Sequence, residues 1–277
     1  MNPLLIKKIV KQALEEDLGT GDITSESIFI ENFHTNAVFL VKSPGVVAGL
    51  PVAAEVFRLL HPEINFTTLV TDGVNVPPSA EIAKVTGPVK SILAGERVAL
   101  NFLQRLSGIA TKTARLVKLV EDFPVKVVDT RKTTPGLRLL EKYAVLQGGG
   151  HNHRFNLADA VLIKDNHIAA CGSILEAIKR AREAVPHTMK IEIEVENETQ
   201  VNEALEARAD IIMLDNMTPV QMAAMVKLIN GKAIVEASGN IDESTIREVA
   251  AAGVDIISSG AITHSVNALD ISLDIRQ

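Results

Sequence analysis

The sequence predicts an α/β protein whose second half is a parallel β-sheet flanked by helices. After residue 123, short apolar strands alternate with helices, and the last four strands recur every 21 or 22 residues. That spacing is one β/α unit, and repeated β/α units imply either a barrel or a doubly wound sheet. The first hundred residues instead have an irregular α+β pattern, so the two halves of the chain differ in architecture.

The first half is predicted to contain helices and short strands in mixed order. Segment 1–18 has apolar residues at helical spacing and is expected to end at Gly19, since glycine commonly stops a helix. A second helix is predicted over 51–60, which starts with proline. A long helix is predicted from Gly95 to Val120. Short strands bounded by Gly and Pro turns are predicted at 35–42, 64–70, 81–86 and 89–93.

The second half is predicted to repeat strand and helix. Met222, Met225 and Ile229 on one of its helices are interpreted as core residues. The predicted helices are 173–184, 199–207, 219–229 and 243–251. The predicted strands are 125–129, 160–164, 191–196, 211–215, 233–238 and 255–259.

The ends of these strands favour the barrel over the doubly wound sheet. Each predicted strand of the second half ends in polar or charged residues, and barrel active sites are built from the carboxyl ends of the strands. Glycine turns follow the last two strands, where barrel phosphate sites typically lie. The residues of these two turns are Ser238, Gly239, Asn240, Ser259, Gly260 and Ala261.

Composition excludes several classes of function. The 277 residues carry a formal net charge of −6 and only 3% aromatic residues, which argues against a nucleic-acid binder. No run of about 20 apolar residues predicts a membrane span, and we expect no membrane association. The single cysteine, Cys171, excludes an internal disulfide. With no signal peptide recognisable, the protein is expected to be cytoplasmic.

Positive charge nevertheless collects in segment 131–167, at the predicted strand ends. A charge run is often only a solvated face, but this one adjoins the barrel mouth and favours a pocket for a multiply anionic ligand. The pair His151 and His153 resembles a metal motif, yet the adjacent Arg154 would repel a cation, so no protein-bound metal is expected. The cations are Arg131, Lys132, Arg138, Lys142, Arg154 and Lys164.

Strand 191–196 supplies the acidic counterpart. Its isoleucines and valine share one face, and Glu192, Glu194 and Glu196 share the other, which would point into a barrel. Glu194 and Asp215 then lie on consecutive strands. One interpretation is that they neutralise Lys and Arg in a salt-bridge network. The other is that they hold sugar hydroxyls or stabilise a developing cation.

Several motifs together resemble the quinolinate phosphoribosyltransferase family. The segment DTRKTTPGLR at 129–138 is followed by LLEKYAVLQGGGHNHR and by LIKDNHI at 162–168. Further matching segments cover essentially the whole chain, in the order that the family has them. They are EEDLGTGDIT, GERVALNFLQRLSGIAT, IEIEVEN, IIMLDN, EASGN and ISSGAITHS.

The resemblance implies a two-domain fold like that of the type II phosphoribosyltransferases. Residues 1–107 would form an N-terminal α/β sandwich, with the tail 267–277 packing back onto it, and 108–266 an incomplete, open α/β barrel. The resemblance also implies a homodimer with active sites completed across the interface. It leaves open whether dimers assemble into a higher oligomer.

The implied reaction joins quinolinate and phosphoribosyl pyrophosphate, with Mg²⁺ and no organic cofactor. It gives nicotinate mononucleotide, pyrophosphate and CO₂ in de novo NAD biosynthesis. The Mg²⁺ would be carried mainly by the pyrophosphate. Lys132 and Lys164 would position the leaving groups.

The resemblance also implies individual site residues. Glu194 and Asp215 correspond to the carboxylates at the ribose, and Arg97 to an arginine from the neighbouring subunit. The 5-phosphate would bind the two glycine turns, although Asn240 stands where many relatives have glycine. The quinolinate-binding residues would be Thr130, Arg131, Lys132, His153, Arg154 and Lys164.

Two alternatives remain beside this interpretation. One is a related phosphoribosyltransferase acting on another aromatic acid, such as the family members associated with molybdenum metabolism. The other is a noncatalytic sensor of a phosphorylated ligand. A sensor would not need both Glu194 and Asp215, and it would be expected to have lost part of the cationic set, whereas both features are present.

Overall fold

The computed structural model describes residues 1–276, which divide into two compact units. The first unit contains Met1–Ala114, Thr133–Gly149 and residues 263–276, and the second contains Arg115–Lys132 and Gly150–Ile262. Together they have the expected α/β architecture, with an N-terminal α/β sandwich and an open α/β barrel. Within the described residues, no helix is both long and apolar enough to cross a bilayer.

The first unit is built around an antiparallel sheet of four strands in the order β12-β1-β5-β3. Its core includes Phe39 and Phe57, both fully buried, with Phe66 packed against each ring. Its sheet strands are β1 (His34–Val41), β3 (Asn65–Thr68), β5 (Glu81–Pro88) and β12 (Ile271–Arg276). Its other elements include α1 (Pro3–Leu18), α2 (Ile23–Ile28), β2 (Gly45–Val46), α3 (Leu50–Leu60), β4 (Asn75–Val76) and α5 (Arg138–Gln147).

The termini of the first unit follow from local chemistry. Asn2 accepts a hydrogen bond from the backbone N–H of Leu4 and so caps α1, which ends before Gly19 as predicted. The carboxyl-terminal strand β12 pairs antiparallel with β1. The chain therefore returns from the parallel sheet to complete the sheet of the first unit.

The predicted strand 89–93 is wrong, because these residues begin the long helix α4 (Val89–Leu119). Pro88 ends β5, and Val89 and Ile92 are both buried at a helical spacing of three residues. The apolar, β-branched composition of the segment suggested a strand. Its apolar residues, however, have helical spacing that continues into the predicted helix after Gly95, and the segment is helical.

The second unit contains six parallel strands in the order β6-β11-β10-β9-β8-β7. β6 and β7 are the two edges, so the barrel is open. All six predicted strands are confirmed, within two residues at each end. They are β6 (Lys126–Val128), β7 (Val161–Ile163), β8 (Ile191–Val195), β9 (Ile211–Asp215), β10 (Ile234–Ser238) and β11 (Ile256–Ser258).

Helices alternate with these strands. Met222, Met225 and Ile229 are buried, which confirms them as core residues. The fourth predicted helix starts three residues later than expected, at Ile246. Two short helices at strand ends were not predicted, α6 (Asp165–Cys171) and α11 (Ala261–His264). The predicted helices are α7 (Ile174–Ala184), α8 (Glu198–Glu206), α9 (Pro219–Ile229) and α10 (Ile246–Ala251).

Segment 133–149 differs from the expected domain assignment, because it is part of the first unit rather than of the barrel. Its helix α5 carries Glu141, which is fully buried and accepts hydrogen bonds from the Arg105 guanidinium and from the backbone N–H of Thr134. A buried carboxylate needs such a partner. This ion pair within the first unit explains why the segment packs there.

Candidate active site

A cavity of about 590 Å³ opens at the carboxyl ends of the parallel strands in the second unit. Most of the predicted site residues lie in its wall, although they come from six separate places in the sequence. Parallel strands bring their carboxyl ends to one edge, so this arrangement is the one expected of a β/α barrel. The predicted residues that line the cavity are Thr130, Arg131, Lys132, His153, Arg154, Lys164, Glu194, Asp215, Ser238, Gly239 and Asn240.

Two arginines give one side of the cavity its positive charge. Arg131 and Arg154 are both partly buried. Burial and the charge of Arg131 lower the pKa of Arg154, and the carboxylates of Glu192 and Asp159 oppose that shift. Bringing two guanidinium groups together is unfavourable without an anion between them. The pair is therefore suited to a bound carboxylate or phosphate.

Asp129 holds the segment that carries these cations. It is fully buried at the end of β6, where it accepts hydrogen bonds from the His153 backbone N–H at 2.9 Å and from the Asn152 side chain at 2.6 Å. The backbone of His151 also pairs with that of Val128. The glycine-rich segment thus runs back beside β6, which explains how residues more than twenty apart reach the same cavity wall.

Two carboxylates, those of Glu194 and Asp215, also line the cavity. Glu194 on β8 forms an ion pair with Lys164, which immediately follows β7. Asp215 ends β9 and accepts a hydrogen bond of 2.6 Å from the side chain of Asn216. Both carboxylates line the cavity with part of their surface exposed. They can therefore meet a ligand without losing all hydration.

The glycine turn after β10 makes a close approach that only glycine allows. Gly239 has a φ of +100°, and a Cβ there would lie 2.3 Å from Oδ1 of Asn216. Asn240 has a φ of 49°, in the left-handed region that asparagine tolerates better than most residues. The turn therefore keeps a glycine-like backbone despite the asparagine.

Three predicted residues follow β11 and do not line the cavity. The side chain of Ser259 is buried and donates a hydrogen bond of 2.8 Å to the carbonyl of Ile241, which ties the last two turns together. Gly260 comes next, and Ala261 begins the short helix α11. His167 accepts a hydrogen bond from the backbone N–H of Lys164 and so caps the start of α6.

The predicted cationic segment divides between the two units. Arg138 and Lys142 belong to α5 in the first unit, and Lys142 is fully buried, so neither lines the cavity. Arg97 lies in α4 of the first unit with an exposed side chain. The local charge of segment 131–167 thus overstated the number of cations that belong to one site.

Two acidic residues on the cavity floor were missed as site residues. Glu192 on β8 is 3% exposed and Glu236 on β10 is 1% exposed. Nε2 of His153 lies 3.1 Å from Oε2 of Glu192 and 3.6 Å from Oε2 of Glu236. Burial, and then the negative charge of Glu192, raise the pKa of Glu236 to about 7, against the effect of His153.

A signal for these two residues was present in the sequence. Glu192 alternates with Glu194 along β8, and Glu236 precedes Ser238 by two residues on β10. Residues two apart on a strand share a face. Both glutamates were therefore on the same face as residues already assigned to the site.

Comparisons with known proteins match a family model to both halves of the chain. The family described as quinolinate phosphoribosyl transferase matches with its N-terminal domain at residues 22–107 and with its C-terminal domain at residues 109–274. These two matches meet at residues 107–109, whereas the compact units divide after Ala114 and the first unit also contains segment 133–149.

Individual relatives are similar over nearly the whole chain. A Bacillus subtilis protein named "Probable nicotinate-nucleotide pyrophosphorylase (carboxylating)" is 49% identical over 99% of this chain and 95% of that protein. A chloroplastic Arabidopsis thaliana protein of the same name, without "Probable", is 43% identical over 98% of this chain and 82% of its own. A solved nicotinate-nucleotide pyrophosphorylase from Francisella tularensis superposes with a TM-score of 0.96 at 42% identity, covering 100% of this chain and 98% of that one. The chain therefore belongs to the quinolinate phosphoribosyltransferase family.

Proposed function

We propose that this protein transfers the phosphoribosyl group of phosphoribosyl pyrophosphate to quinolinate, with loss of CO₂. The products are nicotinate mononucleotide, pyrophosphate and CO₂, and the step belongs to de novo NAD biosynthesis. The observation that carries this proposal is that Arg131, Arg154, Lys164, Glu194 and Asp215 line one cavity. Membership in the family supports the same activity.

The cations suit the two substrates because both are polyanions. Arg131 and Arg154 offer planar guanidinium groups that bind a carboxylate through two parallel hydrogen bonds. Lys132 and Lys164 supply movable charges, and Thr130 and His153 complete the set proposed around quinolinate. The turns at Ser238-Gly239-Asn240 and at Ser259-Gly260-Ala261 are proposed to hold the 5-phosphate, with backbone N–H groups as donors.

Glu194 and Asp215 are proposed to act on the sugar. Phosphoribosyl transfer passes through an oxocarbenium-like state with positive charge at the anomeric carbon. Fixed carboxylates beside that carbon stabilise the charge as it develops. The pyrophosphate takes the electrons of the broken C–O bond, and the pyridine nitrogen of quinolinate forms the new C–N bond.

Decarboxylation then needs no organic cofactor. Once the ring nitrogen is ribosylated, the pyridinium can hold the electron pair that CO₂ leaves on carbon 2. Lys132 and Lys164 are proposed to position the leaving groups rather than to form a Schiff base. A lysine adduct trapped during turnover would contradict this assignment.

Mg²⁺ is proposed to enter as part of the substrate, bound to the pyrophosphate. Mg²⁺ prefers oxygen ligands, keeps several waters and is often bound through substrate phosphates. The carboxylate of Asp215 at the cavity mouth is partly exposed, which suits a hydrated cation. The residues of the mouth thus fit the complex without a dedicated metal site.

The proposal extends to assembly and location. A homodimer would allow Arg97, whose side chain is exposed on α4, to reach the active site of the neighbouring subunit. Cytoplasmic location is proposed because both substrates are soluble metabolites.

The experiment is to measure CO₂ release from carboxyl-labelled quinolinate. We expect release only when phosphoribosyl pyrophosphate and Mg²⁺ are both present, in a one-to-one ratio with pyrophosphate. Nicotinate, which lacks the carboxylate at carbon 2, is the matched control and should be a poor substrate. Absence of CO₂ together with ribosylation of another base would overturn the assignment in favour of a related transferase.

A further inference from the structure

The cavity floor holds a cluster that contains two glutamates to which the proposed transfer chemistry gives no role. We define the floor cluster as His153, Glu192 and Glu236, whose ligand atoms all lie within 4.8 Å of one another. Both glutamates are almost completely buried, and Glu236 and His153 line the cavity. Buried carboxylates are costly, so their presence under a substrate cavity calls for a chemical reason.

The hydrogen bonds of His153 indicate which of its two ring nitrogens carries the hydrogen. The backbone N–H of Arg154 donates to Nδ1 of His153 at 2.8 Å, so this nitrogen is an acceptor. In a neutral imidazole the other nitrogen then carries the hydrogen. Nε2 therefore donates toward Oε2 of Glu192 at 3.1 Å. Its lone pair is not available to a metal ion, which argues against a metal in this cluster.

The second carboxylate is left short of hydrogen-bond donors. Oε2 of Glu236 is 3.6 Å from Nε2 of His153, beyond normal hydrogen-bond length. Oε1 of Glu236 and Oε1 of Glu192 are both buried and have no hydrogen-bond partner among the described residues. Two close buried carboxyl groups do not both ionise readily, and one of them retains a proton.

The surroundings assign that proton to Glu236. Burial and the charge of Glu192 on β8 raise the pKa of Glu236 to about 7, while His153 acts in the opposite direction. The neighbouring strands add Met213 from β9, which is uncharged, and the hydroxyl of Ser258 from β11, which lowers the pKa of Glu236 by a smaller amount than burial and Glu192 raise it. An acid whose pKa lies near neutrality can both give up a proton and regain it.

We propose that Glu236 is the proton donor to the ring carbon from which CO₂ departs, an inference that rests on the proposed function. The bond between carbon 2 and its carboxylate breaks, and CO₂ leaves its electron pair on carbon 2. The O–H bond of Glu236 breaks as CO₂ departs, and its proton forms the new C–H bond, so CO₂ loss depends on this proton. Glu236 remains as a carboxylate and is reprotonated from solvent through the cavity.

The form of the cavity supports this role. The apolar side chains of Leu162 and Met213 line it together with Glu236, so a flat aromatic ring can pack there. Arg131 and Arg154 can meanwhile hold the ring carboxylates. Glu192 and His153 are positioning residues in this scheme, since Glu192 accepts the proton of Nε2 and leaves Glu236 as the protonated member of the pair.

A single-turnover experiment on Glu236→Gln separates the two chemical steps. Quinolinate labelled in its 2-carboxylate is mixed with enzyme, phosphoribosyl pyrophosphate and Mg²⁺, and the quenched samples are assayed for pyrophosphate, CO₂ and nicotinate mononucleotide. We expect pyrophosphate to form within about threefold of the wild-type rate, while product formation slows at least about tenfold and ribosylated quinolinate accumulates. Glu243→Gln, an exposed glutamate after the same strand, is the matched control and should behave as wild type.

Different results overturn different statements. If wild type forms no pyrophosphate with quinolinate, the proposed function fails. If wild type turns over and Glu236→Gln releases CO₂ in step with pyrophosphate, or loses both steps equally, the proton-donor inference fails alone. Stoichiometric metal in the purified protein, lost in Glu236→Gln, would also overturn it.

A second measurement does not depend on the variant folding. In wild type, the product-forming step should slow as the pH rises through about 7, because only protonated Glu236 donates. The pyrophosphate-forming step should not share this decline. A product-forming step with a constant rate from pH 6 to about pH 9 would contradict the proposal.

Discussion

Lys164 and Glu194 form an ion pair between the carboxyl ends of β7 and β8, with Nζ of the lysine donating to Oε2 of the glutamate. The side chain of Lys164 is 46% exposed and that of Glu194 is 13% exposed. The lysine is therefore the mobile partner, and the glutamate is held in place by the barrel. Binding of a polyanion is expected to draw Lys164 toward the ligand and leave Glu194 facing the sugar.

Replacing Lys164 by alanine should therefore impair both substrate binding and turnover. We expect kcat/KM for quinolinate to fall about 100-fold, because a charge contact is lost and Glu194 no longer has a partner. Steady-state kinetics measure the effect. Lys190→Ala, which removes an exposed lysine just before β8, should stay within about twofold of wild type. A loss of less than threefold for Lys164→Ala would count against its proposed role.

The proposed dimer with shared sites can be tested by mixing two inactive variants. Arg97→Ala and Glu194→Gln should each be inactive alone, since each removes one contributor to every site. After mixed refolding, half of the dimers are hybrids with one intact site, so about a quarter of wild-type activity should return. Mixing Arg97→Ala with the double variant Arg97→Ala/Glu194→Gln should restore no activity, because neither chain then supplies Arg97. If the two single variants also restore nothing, each site is made by one chain.

The repeated half of the fold was predictable because its signals are local. Each strand of the second unit is a short apolar run such as IIMLD, and its ends are polar. The error at 89–93 had a local origin as well, since VKSIL combines β-branched residues with the 89, 92, 93 spacing of a helix. Helix α5 (138–147) was not predicted, because the positive charge of the segment suggested a ligand-binding segment. In the structure its Glu141 is buried against Arg105.

The residues at the mouth of the site were predictable from the sequence, but the buried residues beneath them were not. Strand-end residues such as Asp215 were recognisable from sequence, because parallel topology brings all strand ends to one edge. The floor cluster depends on three residues from separate segments meeting within a few ångström, and on burial that no single segment reveals. Sequence therefore indicated the charges at the mouth and missed the proton-bearing carboxyl group beneath them.

Gly239 should not tolerate a side chain. In Gly239→Ala the new Cβ would meet Asn216 at 2.3 Å and adopt a φ of +100°, so the turn must move. We expect a loss of about 1–3 kcal/mol in unfolding free energy and a KM for phosphoribosyl pyrophosphate raised at least about tenfold. Urea denaturation and steady-state kinetics measure the two effects.

The matched control is Gly231→Ala, which has a φ of +72° and no atom within 4 Å of the new Cβ. Its free energy of unfolding should fall by about 1 kcal/mol from backbone strain alone, and its KM for phosphoribosyl pyrophosphate should not change. Equal effects of the two substitutions on KM would show that the close approach of Gly239 to Asn216 does not shape the phosphate site.

The stability of the protein should respond to pH through Glu236. Its pKa is raised from 4.5 to about 7 on folding, so between these values the folded state binds more protons than the unfolded state. The free energy of unfolding therefore falls as the pH rises through this window. The full destabilisation by the ionised carboxylate is present above about pH 7. Glu236→Gln cannot ionise and should be more stable than wild type by roughly 3 kcal/mol at pH 8, with little of that advantage at pH 5. Urea denaturation at both values measures the difference. Glu243→Gln should show none, and a pH-independent difference for Glu236→Gln would mean that the carboxyl group does not carry the proton assigned to it.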